Sequence, residues 1–240
     1  MRLDRWLAHA GIGTRSEVKA IIKKGRVCVN DTVVKRPNVQ VRVDIDCVDF
    51  DGQTIAAPSH VVLAMNKPKG VVSARRDARN RTVIDCLPTT YQRRDLHVAG
   101  RLDKDVSGLV ILTNDTALVH EIISPAKHVH KTYDVVVDQG LPPREAFLKP
   151  RRLKDGRNRL YIPKPPRILR WEGTEARVAL CEGKFHQVKR MFEAIGVGVV
   201  TLKRVAIGSL TLGDLSVGET RVLNTSEVAS LFNAMPEKER

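Results

Sequence analysis

The sequence predicts a mixed α/β protein with a small N-terminal unit, residues 1–55, and a larger domain, residues 61–240, joined by a linker at 56–60. Three observations predict this arrangement. Two helical apolar patterns open the chain, and short alternating apolar runs follow them. From residue 61 onwards, longer apolar runs dominate, with helical segments between them. The last residues, 236–240, form a polar tail.

The N-terminal unit begins with two predicted helices. The apolar spacing of residues 3–10 indicates the first helix, and residues 11–13 (GIG) end it. Residues 14–17 (TRSE) form a capping box, so a second helix starts there. Gly25 is the natural C-terminal cap of this second helix.

Short strands are expected after the second helix. Residues 27–29 begin a strand, residues 30–31 (ND) turn the chain, and residues 32–34 return as a hairpin. Valines alternate in residues 39–43, which predicts a further strand. Residues 51–52 (DG) form a turn near the end of the unit.

The larger domain contains five further strong apolar runs and three helical patterns. We predict strands at 61–65, 109–112, 133–137, 176–181 and 197–202, and helices at 115–123, 185–195 and 226–234.

The charge of the chain favours a polyanionic partner. Lys and Arg number 41 against 27 Asp and Glu, which gives a formal charge of +14. Neutralising phosphates releases counterions, so such an excess favours nucleic acid binding. A membrane is a weaker choice, because no run approaches the roughly 18 apolar residues of a spanning helix. A soluble protein that is merely basic is the plain alternative.

The N-terminus and the cysteines indicate the cellular location of the protein and the redox state of its thiols. No apolar run follows the first residues, so we expect no signal peptide. The four cysteines are far apart and no C-x-x-C pair exists, so we expect reduced thiols and no zinc site. Both observations favour a cytoplasmic protein.

Two segments are strongly basic. Arg15, Lys19 and Lys23 are four residues apart and share one face of the second helix, with Glu17 as the acid among them. This face either is simply solvated or binds a phosphate backbone, and we favour the second. Residues 149–170 contain nine Lys or Arg, one acid and several prolines, which predicts an exposed, partly extended segment. This segment either is a solvated loop or contacts RNA.

Residues 100–115 carry the strongest chemical candidate. In this segment Asp103 stands between Arg101 and Lys104, and an apolar run follows. Nearby cations favour an ionised carboxylate, which acts as a nucleophile or a base. The alternative is that Asp103 only caps a helix or stabilises a turn.

The N-terminal unit resembles the small RNA-binding domain of ribosomal small-subunit protein four. The matching segments are residues 2–4 (RLD), 10–11 (AG), 14–17 (TRSE) and 25–30 (GRVCVN). The resemblance implies binding to structured RNA.

The larger domain resembles the pseudouridine synthases, and more narrowly the branch that acts on small-subunit ribosomal RNA. The matching segments are residues 66–70 (NKPKG), 100–103 (GRLD), 107–109 (SGL), 113–115 (TND), 124–125 (SP), 130–133 (HKTY), 182–192 (EGKFHQVKRMF) and 204–208 (RVAIG). The resemblance implies a large mixed, mainly antiparallel sheet and the conversion of a uridine to pseudouridine, after the base flips out of its stack.

The resemblance also implies residue roles. Asp103 corresponds to the essential aspartate of glycosidic bond cleavage, and Tyr133 to the tyrosine that stacks on the base. Lys189 corresponds to the basic residue that pairs with the catalytic carboxylate. Arg101 resembles the arginine beside the flipped nucleotide, and Ile207 an apolar wall against the base. Where relatives usually have threonine and glycine, this chain has Val106 and Thr116.

Several consequences and alternatives follow from this interpretation. The isomerisation moves no electrons in or out, so we expect no cofactor and no metal. The expected partner is ribosomal RNA or a partly assembled small subunit, with the enzyme a monomer. A 23S ribosomal RNA synthase is an alternative. A non-catalytic ribosome assembly factor is another, but a carboxylate among cations would repel the RNA it binds.

Overall fold

The computed structural model of the chain describes residues 1–43, 45–57, 60–92 and 94–233. In these residues the helices are α1 (Leu3–His9), α2 (Arg15–Lys23), α3 (Thr89–Gln92), α4 (Thr116–Ile123), α5 (Arg144–Leu148), α6 (Gln187–Glu193) and α7 (Thr225–Ser230). The strands are β1 (Val27–Val29), β2 (Thr32–Val33), β3 (Val48–Phe50), β4 (Gln53–Thr54), β5 (Val62–Lys67), β6 (His97–Ala99), β7 (Ser107–Thr113), β8 (Lys131–Val137), β9 (Leu153–Lys154), β10 (Leu160–Tyr161), β11 (Arg167–Glu172), β12 (Glu175–Leu180), β13 (Val199–Ile207), β14 (Leu210–Thr211) and β15 (Thr220–Val222). Among the described helices, none has the length and apolarity needed to cross a membrane.

The N-terminal unit packs α1 and α2 with a four-stranded sheet in the order β2-β1-β3-β4. The Thr14 hydroxyl accepts from the backbone N–H of Glu17, and the Glu17 carboxylate accepts from the backbone N–H of Thr14. This is the capping box that the sequence predicts. The Asn30-Asp31 turn joins β1 to β2 with both residues at positive φ, as a tight two-residue hairpin requires.

The predicted strand at 39–43 is wrong. The backbone N–H of Leu3 donates to the Val39 carbonyl, and the N–H of Val41 donates to the Met1 carbonyl. The segment therefore hydrogen-bonds to the first residues of the chain outside any strand, and the third strand lies at β3 instead. Val41 is buried in the small core, which explains the apolar alternation without a sheet.

The larger domain is built on a nine-stranded sheet. Its main path runs β11-β12-β8-β13-β7-β5-β15, with β14 paired to β13 and β6 paired to β7. The β7–β13 pair is parallel, and the other pairs of this sheet are antiparallel. This confirms the mixed, mainly antiparallel sheet that the family resemblance implies.

Both faces of the central strands are buried. On β7, Val110 and Leu112 belong to one apolar cluster, while Leu109 and Ile111 belong to a second cluster on the other face. A strand covered on both sides reads as a continuous apolar run, not as an alternating one. That is why β5 and β7 stand out so clearly in the sequence.

The predicted helices of the larger domain are found at α4, α6 and α7, although both α6 and α7 are shorter than expected. Helices α3 and α5 and the β9–β10 hairpin are additions that the apolar patterns did not indicate. Part of the predicted linker, residues 58–59, and the whole predicted tail, residues 236–240, lie outside the described residues.

Thr116 connects the two units. It begins α4, and its hydroxyl accepts a hydrogen bond of 2.9 Å from the Arg5 guanidinium on α1. Glycine, which the family resemblance implies at this position, has no side chain to make this contact. Threonine at position 116 therefore adds a link between the N-terminal unit and the larger domain.

The parallel pair at the centre of the sheet requires glycine at position 108. Gly108 has a φ of +109°, and a Cβ built there would lie 2.2 Å from the backbone oxygen of Arg204 on β13. Real Cβ atoms do not approach backbone atoms so closely, and the φ value is unfavourable for any other residue. Strands β7 and β13 can pair at this point only because the side chain is absent.

Replacing Gly108 with alanine should therefore lower the free energy of unfolding by about 3 kcal/mol, the upper part of the usual range for overpacking. Urea denaturation of both proteins measures the difference. Gly140→Ala is the control, because nothing lies within 4 Å of a Cβ built at Gly140, and we expect a change within about 0.5 kcal/mol. Equal stabilities for the two variants would contradict the close-approach argument.

Candidate active site

A cavity of about 730 Å³ lies where distant parts of the chain meet. Its lining comprises residues 72–73, 101–106, 182–189 and three side chains of the sheet, Tyr133, Leu180 and Leu202. This volume falls within the range of small-ligand sites, about 300–1,000 Å³. Two of the segments that resemble family motifs, residues 100–103 and 182–192, thus contribute to one cavity although some 80 residues separate them.

The loop at residues 100–106, which we call the Asp103 loop, joins β6 to β7 and is fixed by side chains from elsewhere. Ser73 is buried, and its hydroxyl both accepts from the Leu102 N–H at 3.0 Å and donates to the Leu102 carbonyl at 2.8 Å. A buried peptide group without such partners would cost about 1–3 kcal/mol. The backbone immediately before Asp103 is therefore held from both sides.

Arg204 fixes both sides of the same loop. Its side chain is fully buried on β13 and donates to the Leu109 carbonyl at 2.7 Å and to the Gly100 carbonyl at 2.5 Å. The planar guanidinium offers several donors in a rigid arrangement, so one side chain can bridge two carbonyls. Arg204 thereby ties the start of the Asp103 loop to the strand that follows it.

Lys67, at the end of β5, lies beneath the loop. Its ammonium group is buried and donates to the carbonyls of Pro68 and Val71, at 2.9 and 2.7 Å, and reaches the Lys104 carbonyl at 3.5 Å. Burial lowers the pKa of Lys67 to about 8, and the negative charges of Asp105 and Asp103 oppose that shift. A buried cation thus lies close to both carboxylates of the loop.

Asp103 itself extends into the cavity. About a third of its side chain (34%) is exposed, and its Oδ1 lies 3.5 Å from Nε2 of His186. The carboxylate is therefore accessible to a ligand while its backbone is immobilised. This combination suits a group that reacts, because the reacting atoms must be held in position and yet be reachable.

Tyr133 lines the same cavity from the middle of β8. Its ring is buried among the apolar residues of the main core, and its backbone pairs with Val178 and Arg204 on the two neighbouring strands. A tyrosine so placed presents a rigid aromatic surface inside the cavity. The structure thus places Tyr133 and Asp103 in the lining of the same cavity.

Lys189 is also in the cavity wall, on α6, but its ion pair differs from the expected one. Its ammonium donates to the carboxylate of Asp105, not to that of Asp103. This hydrogen bond holds the pKa of the Asp105 carboxyl below its usual value. The expectation of a Lys189–Asp103 pair is corrected accordingly, because Asp105 lies on the same loop and offers Lys189 a second carboxylate.

Arg101 lies in the cavity lining with an exposed side chain, as expected for a residue beside a bound nucleotide. Ile207 does not. It is fully buried in the second core cluster with Leu109 and Ile111, on the face of the sheet opposite the cavity core. The prediction that Ile207 forms the apolar wall is therefore wrong.

The apolar walls are instead Leu180, Leu202 and Val106. The two leucines are buried residues of β12 and β13, and nothing in their sequence pattern distinguishes a side chain facing a cavity from one facing the core. Val106, where the family resemblance implies threonine, is buried and lines the cavity as an apolar residue. His186 and Phe185 also line it, although neither was in the predicted site.

The basic face of α2 lies outside the cavity lining. Arg15, Lys19 and Lys23 are exposed, and Arg15 lies 3.7 Å from the buried carboxylate of Asp4. Asp4 belongs to the preceding helix α1, so the sequence of α2 indicates only Glu17 as a nearby acid. Within the described ranges, no group of three or more His, Cys, Asp or Glu residues could hold a metal ion.

Comparison with known families gives two matches. Residues 61–194 match the model of the RNA pseudouridylate synthase family, and residues 1–44 match the model of the S4 domain. Together these segments contain the Asp103 loop, Tyr133, Lys189 and the basic face of α2.

Individual proteins agree with these matches. The chain is 37% identical to the ribosomal small subunit pseudouridine synthase A of Vibrio cholerae, over 97% of this chain and all of that protein. It is 35% identical to the ribosomal large subunit pseudouridine synthase B of Bacillus subtilis, over 96% and 95% of the two chains. A crystal structure of a pseudouridylate synthase is 31% identical, with a TM-score of 0.66, and covers 96% of this chain and 99% of that one.

The exposed basic face of α2 can be tested separately from the cavity. Replacing Arg15, Lys19 and Lys23 with alanine should weaken RNA binding and flatten its salt dependence, because fewer counterions are released. Filter binding at several salt concentrations measures both, and turnover at saturating RNA should change little. Alanine at Arg144 and Arg170, exposed arginines that each pair with a glutamate, is the control. Unchanged affinity in the triple variant would exclude α2 from the RNA contact.

Proposed function

The chain belongs to the RNA pseudouridylate synthase family, and from this membership we propose that it converts one uridine of 16S ribosomal RNA to pseudouridine. The single observation that carries the proposal is the accessible Asp103 carboxylate, which lies in a nucleotide-sized cavity on a loop whose backbone is fixed by buried donors. A binding protein would gain nothing from a carboxylate at this point, since it repels phosphate. The non-catalytic alternative is therefore not retained.

The reaction requires the target base to leave its stack. Inside folded RNA, neither C1′ nor C5 of a uridine is accessible, so the nucleotide must flip into the cavity. We assign to Arg101 the place beside the flipped nucleotide, where a guanidinium can pair with phosphate or stack on a base. The leucines of the cavity wall would then exclude water from the base.

The bond changes balance without any co-reactant. The C1′–N1 bond breaks, a C1′–C5 bond forms, C5 loses a proton and N1 gains one. Asp103 is assigned the essential carboxylate of the bond-breaking step. Tyr133 is assigned to stack on the detached base and to assist removal of the C5 proton.

Lys189 is assigned an electrostatic role. Two carboxylates of one loop, Asp103 and Asp105, stand near the cations Lys189 and Lys67. The hydrogen bond from Lys189 holds the pKa of the Asp105 carboxyl below its usual value, so this carboxylate stays ionised beside Asp103. In the structure the Lys189 ammonium donates a hydrogen bond to Asp105. It therefore acts on Asp103 only through the electrostatic field of the cluster that Lys189, Lys67, Asp103 and Asp105 form.

The choice of 16S ribosomal RNA is the finer part of the proposal. It draws on the resemblance of residues 124–125 and 184–191 to the small-subunit enzymes and on the relative of that name in Vibrio cholerae. The large-subunit relative, at 35% identity, makes 23S ribosomal RNA the second candidate. We further propose that the enzyme is a cytoplasmic monomer and acts on free RNA or on a partly assembled small subunit.

The protein, incubated with unmodified 16S and 23S transcripts, should therefore create one new pseudouridine in 16S. Carbodiimide adducts mapped as primer-extension stops locate it, and a mock reaction without protein is the control. A primer-extension stop in 23S alone would show that 23S ribosomal RNA, the second candidate, is the substrate. If neither transcript is modified, the same assay on partly assembled particles decides the matter, and inactivity there as well would contradict the proposal.

A further inference from the structure

Two aromatic rings are stacked at the wall of the cavity and have no assigned role. The rings of Phe185 and His186 have centroids 3.8 Å apart and an interplanar angle of 19°. About half of Phe185 (51%) is exposed, although phenylalanine is usually buried. Its partner His186 contacts Asp103 at 3.5 Å. The stack therefore extends from the reacting carboxylate to the solvent.

The backbone that presents these rings is strained and firmly held. His186 has a φ of +52°, an unusual left-handed conformation for a residue with a side chain, and it stands directly before α6. Buried Gln187 closes the turn, because its side chain accepts from the Lys184 N–H and donates to the Glu182 carboxylate. Strain of this kind persists where surrounding contacts enforce it, and it is commonest at functional sites.

Phe185 is supported from behind by the basic hairpin β9–β10. A Cβ at Gly156 in that hairpin would lie 3.1 Å from the Cβ of Phe185, so the two residues are in close contact. The Arg190 guanidinium lies 5.1 Å from the centre of the Phe185 ring and also donates to the Lys154 carbonyl. The hairpin, Arg190 and the ring form one assembly, and the remaining half of the Phe185 surface stays open.

The chain uses its few aromatic residues selectively, which makes this exposure informative. Only 4% of the residues are aromatic. Phe147, Trp171 and Phe192 pack against one another at the main core, with ring centroids 4.7–5.7 Å apart. Phe185 instead lines the same cavity as Asp103, Arg101 and Lys184, and the Arg190 guanidinium lies against its ring. An open aromatic ring with cations around it is the combination that binds the bases and phosphates of unstacked RNA.

We propose that the Phe185–His186 stack is a binding site for a second nucleobase, the one adjacent to the target uridine in the substrate RNA. This inference rests on the proposed function, which supplies a flipped uridine at Asp103. Stacking tolerates any base, so the site contributes affinity and position and does not read sequence. Because His186 contacts Asp103, a base on the stack also fixes the distance of the target ribose from the carboxylate.

The test removes the ring and the base in turn. Phe185→Ala should weaken the binding of a short single-stranded RNA with a central uridine by about tenfold, which is within the range for one lost base stack. Phe185→Trp should retain the affinity. Phe232→Ala is the matched control, since Phe232 is also partly exposed but does not line the cavity. Thermal melting of all variants checks that they fold.

The base is tested with 2-aminopurine or an abasic residue on either side of the central uridine. On one side, 2-aminopurine fluorescence should be quenched by the wild type and by the Phe232→Ala variant, but not by Phe185→Ala. An abasic residue on that side should cost the wild type about tenfold in affinity and cost Phe185→Ala nothing further.

Independent, additive losses, or equal quenching by the wild type and Phe185→Ala, would overturn the stacking site. These binding measurements need no turnover. If the wild type quenches the fluorescence but forms no pseudouridine, the proposed function is contradicted and the stacking site is supported. If the wild type forms pseudouridine but does not quench the fluorescence, the stacking site is contradicted and the proposed function is supported.

Discussion

The structure depends most on the hydrogen bonds by which buried side chains satisfy the backbone carbonyls around Asp103. Arg204 bridges Gly100 and Leu109, Ser73 holds both polar groups of the peptide at Leu102, and Lys67 lies beneath the loop. Carbonyls removed from water must find partners, so a loop with such internal donors has few alternative conformations. The carboxylate at its tip remains exposed and is held in place at the same time.

This arrangement is possible because of the sheet beneath it. Strand β13 carries Arg204, and it can lie against β7 only because Gly108 leaves room for its backbone. Hydrogen bonds compensate locally for the burial of charge, because the ammonium groups of the buried Lys67 and Lys131 both donate to backbone carbonyls. Burial lowers the pKa of each lysine to about 8. The centre of the sheet thus serves as the support of the cavity as well as its wall.

The sequence was sufficient for features that local chemistry determines, and insufficient where tertiary packing decides. The capping box of α2, the Asn30-Asp31 turn and the segments that meet at the cavity were predictable, because each has its own residue pattern. The buried faces were not, since an apolar residue such as Ile207 fits either a core or a cavity wall. The pairing of Lys189 with Asp105 was not predictable either, because two carboxylates of one loop are chemically equivalent candidates.

We propose that the Asp103 carboxylate performs the chemistry and does not serve to bind RNA. Single-turnover pseudouridine formation and RNA affinity should be measured for Asp103→Asn, with Asp134→Asn, which alters a surface pair with Arg177, as the control. We expect no detectable turnover in the Asp103 variant, an affinity within a few fold of the wild type, and normal turnover in the control. Turnover near the wild-type rate in Asp103→Asn would show that this carboxylate is not the reacting group.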